Sequence, residues 1–199
     1  MFVTGLVLAA GGSRRLGQPK QLLPLGDGTL LDVTLDAARA CGFDQLLVAL
    51  GGAADDIRAS VDLSGMEVVD NPTFGDGCST SIVRSLEQVD DRAAGVVMLL
   101  GDQPEIAPRA VRALIAVAGR SSTIGVCHYA DGRGHPFWFG RDAFAHLRKM
   151  HGDKAVWKLI ESETLPMIEV LVDGNNPRDV DTLADYEALL ARDRARIDV

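Results

Sequence analysis

Leu6 to Lys20, LVLAAGGSRRLGQPK, is the stretch that decides the fold. Its apolar start belongs to a run from Phe2 to Ala9 that reads as a buried strand, stopped by Gly11-Gly12. Small residues at Ala9-Ala10-Gly11-Gly12 let the backbone approach a ligand, and successive N–H groups there can form an anion nest. Arg14, Arg15 and Lys20 then place three cations close together. The plainer alternative is a strand, a glycine turn and a solvated basic edge. Two familiar phosphate motifs are excluded. Gly12 to Gly17 has G-x-x-x-x-G spacing, but Gln18 follows where a P-loop needs Lys-Ser/Thr, and no G-x-G-x-x-G is present.

Outward from this loop, short apolar runs alternate with amphipathic stretches. Further strands are expected at Gln45–Leu50, Met66–Asp70, Val96–Leu100, Thr123–Cys127, Pro136–Phe139 and Met167–Val172. Helices are expected at Leu30–Cys41, Asp55–Ser60, Ser79–Val89, Pro108–Val117, Asp142–Lys149, Ala155–Glu161 and Thr182–Arg192. This order predicts an α/β protein of three layers, α/β/α, with a mostly parallel sheet, and residues 1–199 are read as a single domain. Ligands in such sheets sit at the carboxyl ends of the strands beside a topological switch point. The loops after the first, third and fourth strands are therefore the places to look.

Composition narrows the function. The 199 residues are 47% hydrophobic and 24% charged, an ordinary globular balance, and the formal net charge is -8. So acidic a chain is poorly suited to grip nucleic acid, which needs a wide positive surface. A local basic cluster still suffices for one polyphosphate. Sixteen Arg stand against four Lys, and no lysine other than Lys20 precedes Lys149, so Lys20 is not a product of composition. Cys41, Cys78 and Cys127 form no metal or disulfide pattern and suit reduced thiols in a cytoplasmic protein, with a catalytic Cys78 the weaker alternative. No signal peptide and no membrane span is expected.

Four more segments carry candidate chemistry. Asp102, in Leu99-Leu100-Gly101-Asp102-Gln103-Pro104, follows an apolar strand where a carboxylate suits a hard Mg²⁺, or else simply opens a turn. Ser79 and Thr80, in Gly77-Cys78-Ser79-Thr80-Ser81, can cap a helix or meet a base or phosphate. His135, in Gly134-His135-Pro136, is either structural or placed at a cleft. Asp181, in Asp179-Val180-Asp181-Thr182, opens the last helix, where it or Thr182 can act as N-cap.

Leu8, Ala9, Ala10, Gly11, Ser13, Arg15, Leu16, Gly17 and Lys20 together resemble L-A-[AG]-G-x-S-x-R-[ML]-G-x-x-K. That is the signature of the nucleotidyltransferases related to the molybdenum cofactor guanylyl- and cytidylyltransferases. The resemblance extends from Val3 to about Leu190. It implies a Rossmann-like nucleotidyltransferase fold, with Leu8 to Ser13, Arg15, Lys20, Ser79 and Thr80 around the nucleotide. It also implies Arg15 and Lys20 on the phosphates, Asp102 and Asp181 on Mg²⁺ or Mn²⁺, and His135 on the acceptor side. Ala10, and the likeness of Gly77–Ser81 to the cytidylyl branch, imply CTP over GTP. The branch's Gly-Asp-x-Gly reads Gly152-Asp153-Lys154-Ala155 here, so that segment's role stays open.

The implied reaction moves CMP from CTP to molybdopterin and releases pyrophosphate. Catalysis would lie in positioning and charge neutralisation by Arg15, Lys20 and Asp102, with no protein nucleophile. Two rivals stand beside it. Relatives of the family resemble reductases that use the loop for NAD(P)H, and a non-catalytic chaperone could bind molybdopterin and dock on a molybdenum hydroxylase. Retention of both Lys20 and Asp102 argues against the chaperone.

Overall fold

The structure is a computed structural model that describes residues 1–13, 15–120 and 123–197. In chain order it contains β1 (Phe2–Leu8), β2 (Pro24–Leu25), β3 (Gly28–Thr29), α1 (Leu30–Arg39), β4 (Gln45–Leu50), α2 (Ala54–Ser60), β5 (Glu67–Asp70) and α3 (Cys78–Leu86). It continues with β6 (Ala93–Leu100), α4 (Pro108–Ala118), β7 (Ile124–Tyr129), β8 (Gly132–Gly140), α5 (Phe144–Leu147), α6 (Ala155–Glu161), β9 (Met167–Leu171) and α7 (Leu183–Ile197). Seven strands form one sheet in the order β5-β4-β1-β6-β8-β7-β9. β1 pairs in parallel with β4 and β6, β4 with β5, and β7 with β9; β8 runs antiparallel to both its neighbours.

The sheet is covered on both faces, which explains the continuous apolar runs of its central strands. Side chains alternate across the sheet with period two. Val3 and Val7 of β1, with Val97 and Leu99 of β6, pack with Leu31 and Leu35 of α1, Ile57 of α2 and Leu114 of α4. Leu6, Val96 and Met98 face the other layer, with Ile82 and Leu86 of α3, Phe144 of α5 and Ile160 of α6. The chain leaves β1 toward β4 and β5, then returns to lay β6 on the other side of β1. The switch point therefore falls between the carboxyl ends of β1 and β6.

Two of the departures from the expectation bear on the site. Residues 24–29 form a two-stranded ribbon, β2 with β3. Two residues per strand leave no periodicity to read. α7 continues to Ile197, beyond the expected Arg192. Leu23, Leu25 and Leu30 pack with Val180 and Leu189 in a small separate cluster. That cluster moors the start of α7 beside the loop after β1, so residues far apart in sequence meet at the switch point.

Candidate active site

A cleft of about 420 Å³ opens at this switch point. Its walls are the loop from Leu8 to Ser13, Arg15, Lys20 and Gln21, together with Phe74, Gly75, Cys78 and Ser81, then Leu100–Asp102, Asp153 and Asp181. Gly101 lets the ends of β1 and β6 converge: its N–H donates to the Leu8 carbonyl at 2.9 Å, and a Cβ there would lie 2.8 Å from Ala9 Cβ. Any side chain at 101 would force the loops apart.

The loop after β1 is held by its own residues. Gln21, buried beneath it, donates through Nε2 to the carbonyls of Ala9 at 2.7 Å and Gly11 at 3.1 Å. Ser13 takes the left-handed conformation, φ 45°, and its Oγ accepts from the Lys20 N–H at 2.9 Å. With those carbonyls engaged, the backbone is committed to one shape before any ligand arrives. Arg14, expected to add a third cation, lies outside the described residues.

Charges converge at the mouth of this loop. Lys20 Nζ donates to Asp102 Oδ2 and, at 2.8 Å, to Asp181 Oδ1, while Arg15 Nη2 donates to Asp181 Oδ2 at 2.6 Å. The Lys20 and Asp102 side chains are only 12% and 18% exposed, so this pair is poorly screened by solvent. Burial alone would depress the Lys20 pKa, but Asp102 and then Asp181 outweigh it and hold the ammonium above its ordinary value. Burial likewise pushes Asp181 up, yet hydrogen bonding and charge from Lys20, then Arg15, bring it below the usual carboxylate value.

Asp181 is delivered by a stitched segment. The Val180 N–H donates to the Asp102 carbonyl at 3.1 Å, and Gln103 Nε2 donates to Asp179 Oδ1 at 2.7 Å. Burial, reinforced by the Asp102 charge, raises the Asp179 pKa. Of the two proposed N-caps, Thr182 serves α7 with Asp185: the Asp185 N–H donates to Thr182 Oγ1 at 3.2 Å and the Thr182 N–H to Asp185 Oδ2 at 2.8 Å. Asp181 is thereby left to face the cleft.

Ser79, Thr80 and His135 do not reach the cleft. α3 begins at Cys78, and three residues is close to one helical turn, so Cys78 and Ser81 share the cleft-facing side. Ser79 Oγ instead accepts from the Gly152 N–H at 2.9 Å, and Thr80 Oγ1 accepts from Asn71 Nδ2 at 2.8 Å. Neither hydroxyl caps α3, whose N-cap is Gly77. His135 is buried against Phe137, ring centroids 4.0 Å apart, and burial drives its pKa down to about 3. It is a neutral member of an aromatic cluster. Cys78 lines the cleft, but burial, then Asp153 and Asp102, push its thiol up to about 11, which disfavours the thiolate a nucleophile needs.

The sequence reading missed Gln21 and Phe74, named Ser81 only within the Gly77–Ser81 stretch, and left the role of Asp153 open. Asp153 Oδ1 accepts from the Cys78 N–H at 2.9 Å, capping α3 from 75 residues away. This gives the open Gly152-Asp153 segment a structural place, one that no local spacing could reveal.

Among the described residues no three His, Cys, Asp or Glu side chains form a ready metal cage. Asp102 and Asp181 do converge on one point, and the Lys20 ammonium there is a stand-in for a bound cation. Two carboxylates completed by substrate phosphates are a donor set suited to Mg²⁺ or Mn²⁺. A loop held in shape by Gln21 and Ser13, two cations and two carboxylates at the switch point of an α/β sheet form an arrangement that suits a nucleotidyltransferase. The chain belongs to the MobA-like NTP transferase domain family, whose model matches residues 5–167. It is 29% identical over 202 residues to the purine catabolism protein PucB of Bacillus subtilis, covering 94% of this chain and 95% of that one. It is 30% identical over 146 residues to nicotine blue oxidoreductase of Paenarthrobacter nicotinovorans, covering 67% and 69%. The structure of Rv0371c from Mycobacterium tuberculosis H37Rv in complex with manganese superposes with a TM-score of 0.87 at 49% identity, over 96% of this chain and 99% of that one. Among the described residues no helix is long and apolar enough to cross a membrane.

Proposed function

We propose that this protein transfers CMP from CTP to molybdopterin and works in the cytoplasm as one domain, handing its product to a molybdenum hydroxylase. The observation that carries the reading is the meeting of Arg15, Lys20, Asp102 and Asp181 at the mouth of the Leu8–Ser13 loop. Loop N–H groups cradle the triphosphate. An oxygen of the acceptor's phosphate forms a bond to the α-phosphorus in line. The bond from that phosphorus to the α–β bridging oxygen breaks, and the electron pair leaves with pyrophosphate. Lys20 and Arg15 neutralise the charge gathering on that leaving group. Asp102 and Asp181 would hold a divalent cation, Mg²⁺ or Mn²⁺, which would supply charge neutralisation to the phosphates. The manganese complex of Rv0371c supports this choice.

Base choice is assigned to Ala10, which lines the cleft. Its methyl group takes space that a purine would need, which is discrimination by exclusion. In competition between CTP and GTP the wild type is expected to favour CTP, and Ala10→Gly to narrow the ratio. Ser79 and Thr80 point away, so Cys78 and Ser81 are the next positions to vary if Ala10→Gly changes nothing.

The likeness to nicotine blue oxidoreductase favours a second reading, a reductase that seats NAD(P)H in the same loop. One experiment separates them: purified protein, Mg²⁺ and molybdopterin, offered each NTP in turn with pyrophosphate release followed, and NADPH with absorbance followed. Pyrophosphate from CTP supports the transferase. NADPH oxidation without pyrophosphate release would replace it.

A further inference from the structure

Asp102 and Asp181 aim at one point, and that point is occupied by the Nζ of Lys20. A Mg²⁺ or Mn²⁺ held by both carboxylates needs their oxygens within roughly 2.0–2.2 Å of itself, so it cannot share the position with an ammonium. We infer that Lys20 is the resident counter-ion of the Asp102–Asp181 pair, excluding a divalent cation until nucleotide phosphates draw its ammonium away. This rests on the metal reading above and adds an order of events to it.

Three properties support the exchange. The Lys20 and Asp102 side chains are mostly covered, so water weakens their contact less than at an open surface, and a competing metal must displace it. Lysine is a compact charge on a flexible stem and can swing by rotation about its own bonds. Phosphates carry more negative charge than one carboxylate, and the loop that would hold them ends at Lys20 itself, whose N–H is tied to Ser13. When Lys20 moves onto phosphate, Asp102 loses the cation on its Oδ2 and Asp181 keeps only Arg15. The pair is then short of positive charge and ready for a divalent ion. Nucleotide and metal thus bind cooperatively, each raising the affinity of the other by the same factor.

The test is Mn²⁺ binding by water-proton relaxation enhancement, without turnover, on wild type, Lys20→Met and Asp102→Asn. Without nucleotide, Lys20→Met is expected to bind Mn²⁺ at least about tenfold more tightly than wild type, equivalent to about 1.4 kcal/mol. With CTP, wild type is expected to form a ternary Mn²⁺ complex that Asp102→Asn does not. Equal or weaker Mn²⁺ binding by Lys20→Met, with the wild-type ternary complex intact, overturns the inference and leaves the metal reading standing. No Mn²⁺ binding by any form, with or without CTP, overturns the metal reading and the inference with it. Should Lys20→Met melt early, wild type serves alone. The chain has four lysines, so the Lys20 ammonium is readily assigned by ¹⁵N NMR. Its signal is expected to move with pyrophosphate and not with Mg²⁺ alone; movement with Mg²⁺ alone overturns the inference.

Discussion

Two carboxylates drawn to one point repel each other unless a cation stays between them. Asp102 and Asp181 meet that condition through Lys20, with Arg15 on the outer side of Asp181. Asp102→Ala removes the more buried carboxylate of the pair, and pyrophosphate release is expected to fall by about 10²–10³. The fold should persist, because Asp102 lies in a loop after β6. A folded Asp102→Ala protein with near-normal turnover would remove Asp102 from the proposed metal site. His135 yields a prediction about pH. Its folded-state pKa, about 3, lies below the ordinary 6.5, so the unfolded chain takes up the proton first as pH falls. The stability this neutral ring contributes is complete above about 6.5 and is lost toward 3, at about 1.4 kcal/mol per pH unit. Denaturant midpoints of wild type and His135→Gln, compared across that window, are expected to converge as pH drops. Parallel curves would show that the imidazole is protonated in the fold.

α3 shows how an element selects which residues of a motif face a ligand. Gly77-Cys78-Ser79-Thr80-Ser81 is legible in the sequence as a helix start, but its helical phase is not. The phase is set by Gly77, at φ 111°, and by the docking of Gly152 and Asp153. A Cβ on Gly77 would meet Gly152 Cα at 2.8 Å. Gly77→Ala therefore combines a left-handed backbone with a clash and is expected to cost about 1–3 kcal/mol in chemical denaturation. It should also weaken nucleotide binding, since the 150–154 segment carries Asp153 into the cleft wall. A variant as stable as wild type would mean that this segment yields freely. Long-range caps of this kind leave no trace in local spacing, which is why the role of Asp153 stays open in a sequence reading while those of Lys20 and Asp102 do not.

At the scale of the whole molecule, the α/β order is legible because buried parallel strands are continuous apolar runs and their helices are periodic. The antiparallel β8 is not, because strand direction depends on the partner it meets, and its Pro136–Phe139 stretch is as apolar as a parallel strand. The β2–β3 ribbon matters more than its length suggests. With Val180 and Leu189 it moors the C-terminal helix, and so brings Asp181 to Lys20 across a separation of 161 residues. The fold thus assembles from both ends of the chain a cleft in which phosphate loop, cations and carboxylates share one edge of the sheet. The most direct test of that assembly as a cytidylyltransferase is the mass of the acceptor after incubation of the protein with CTP, Mg²⁺ and molybdopterin. The expected product is molybdopterin heavier by one CMP moiety, formed in step with pyrophosphate and absent with Asp102→Ala. Molybdopterin recovered at its original mass, under conditions where the protein is folded and binds CTP, would contradict the proposed transfer.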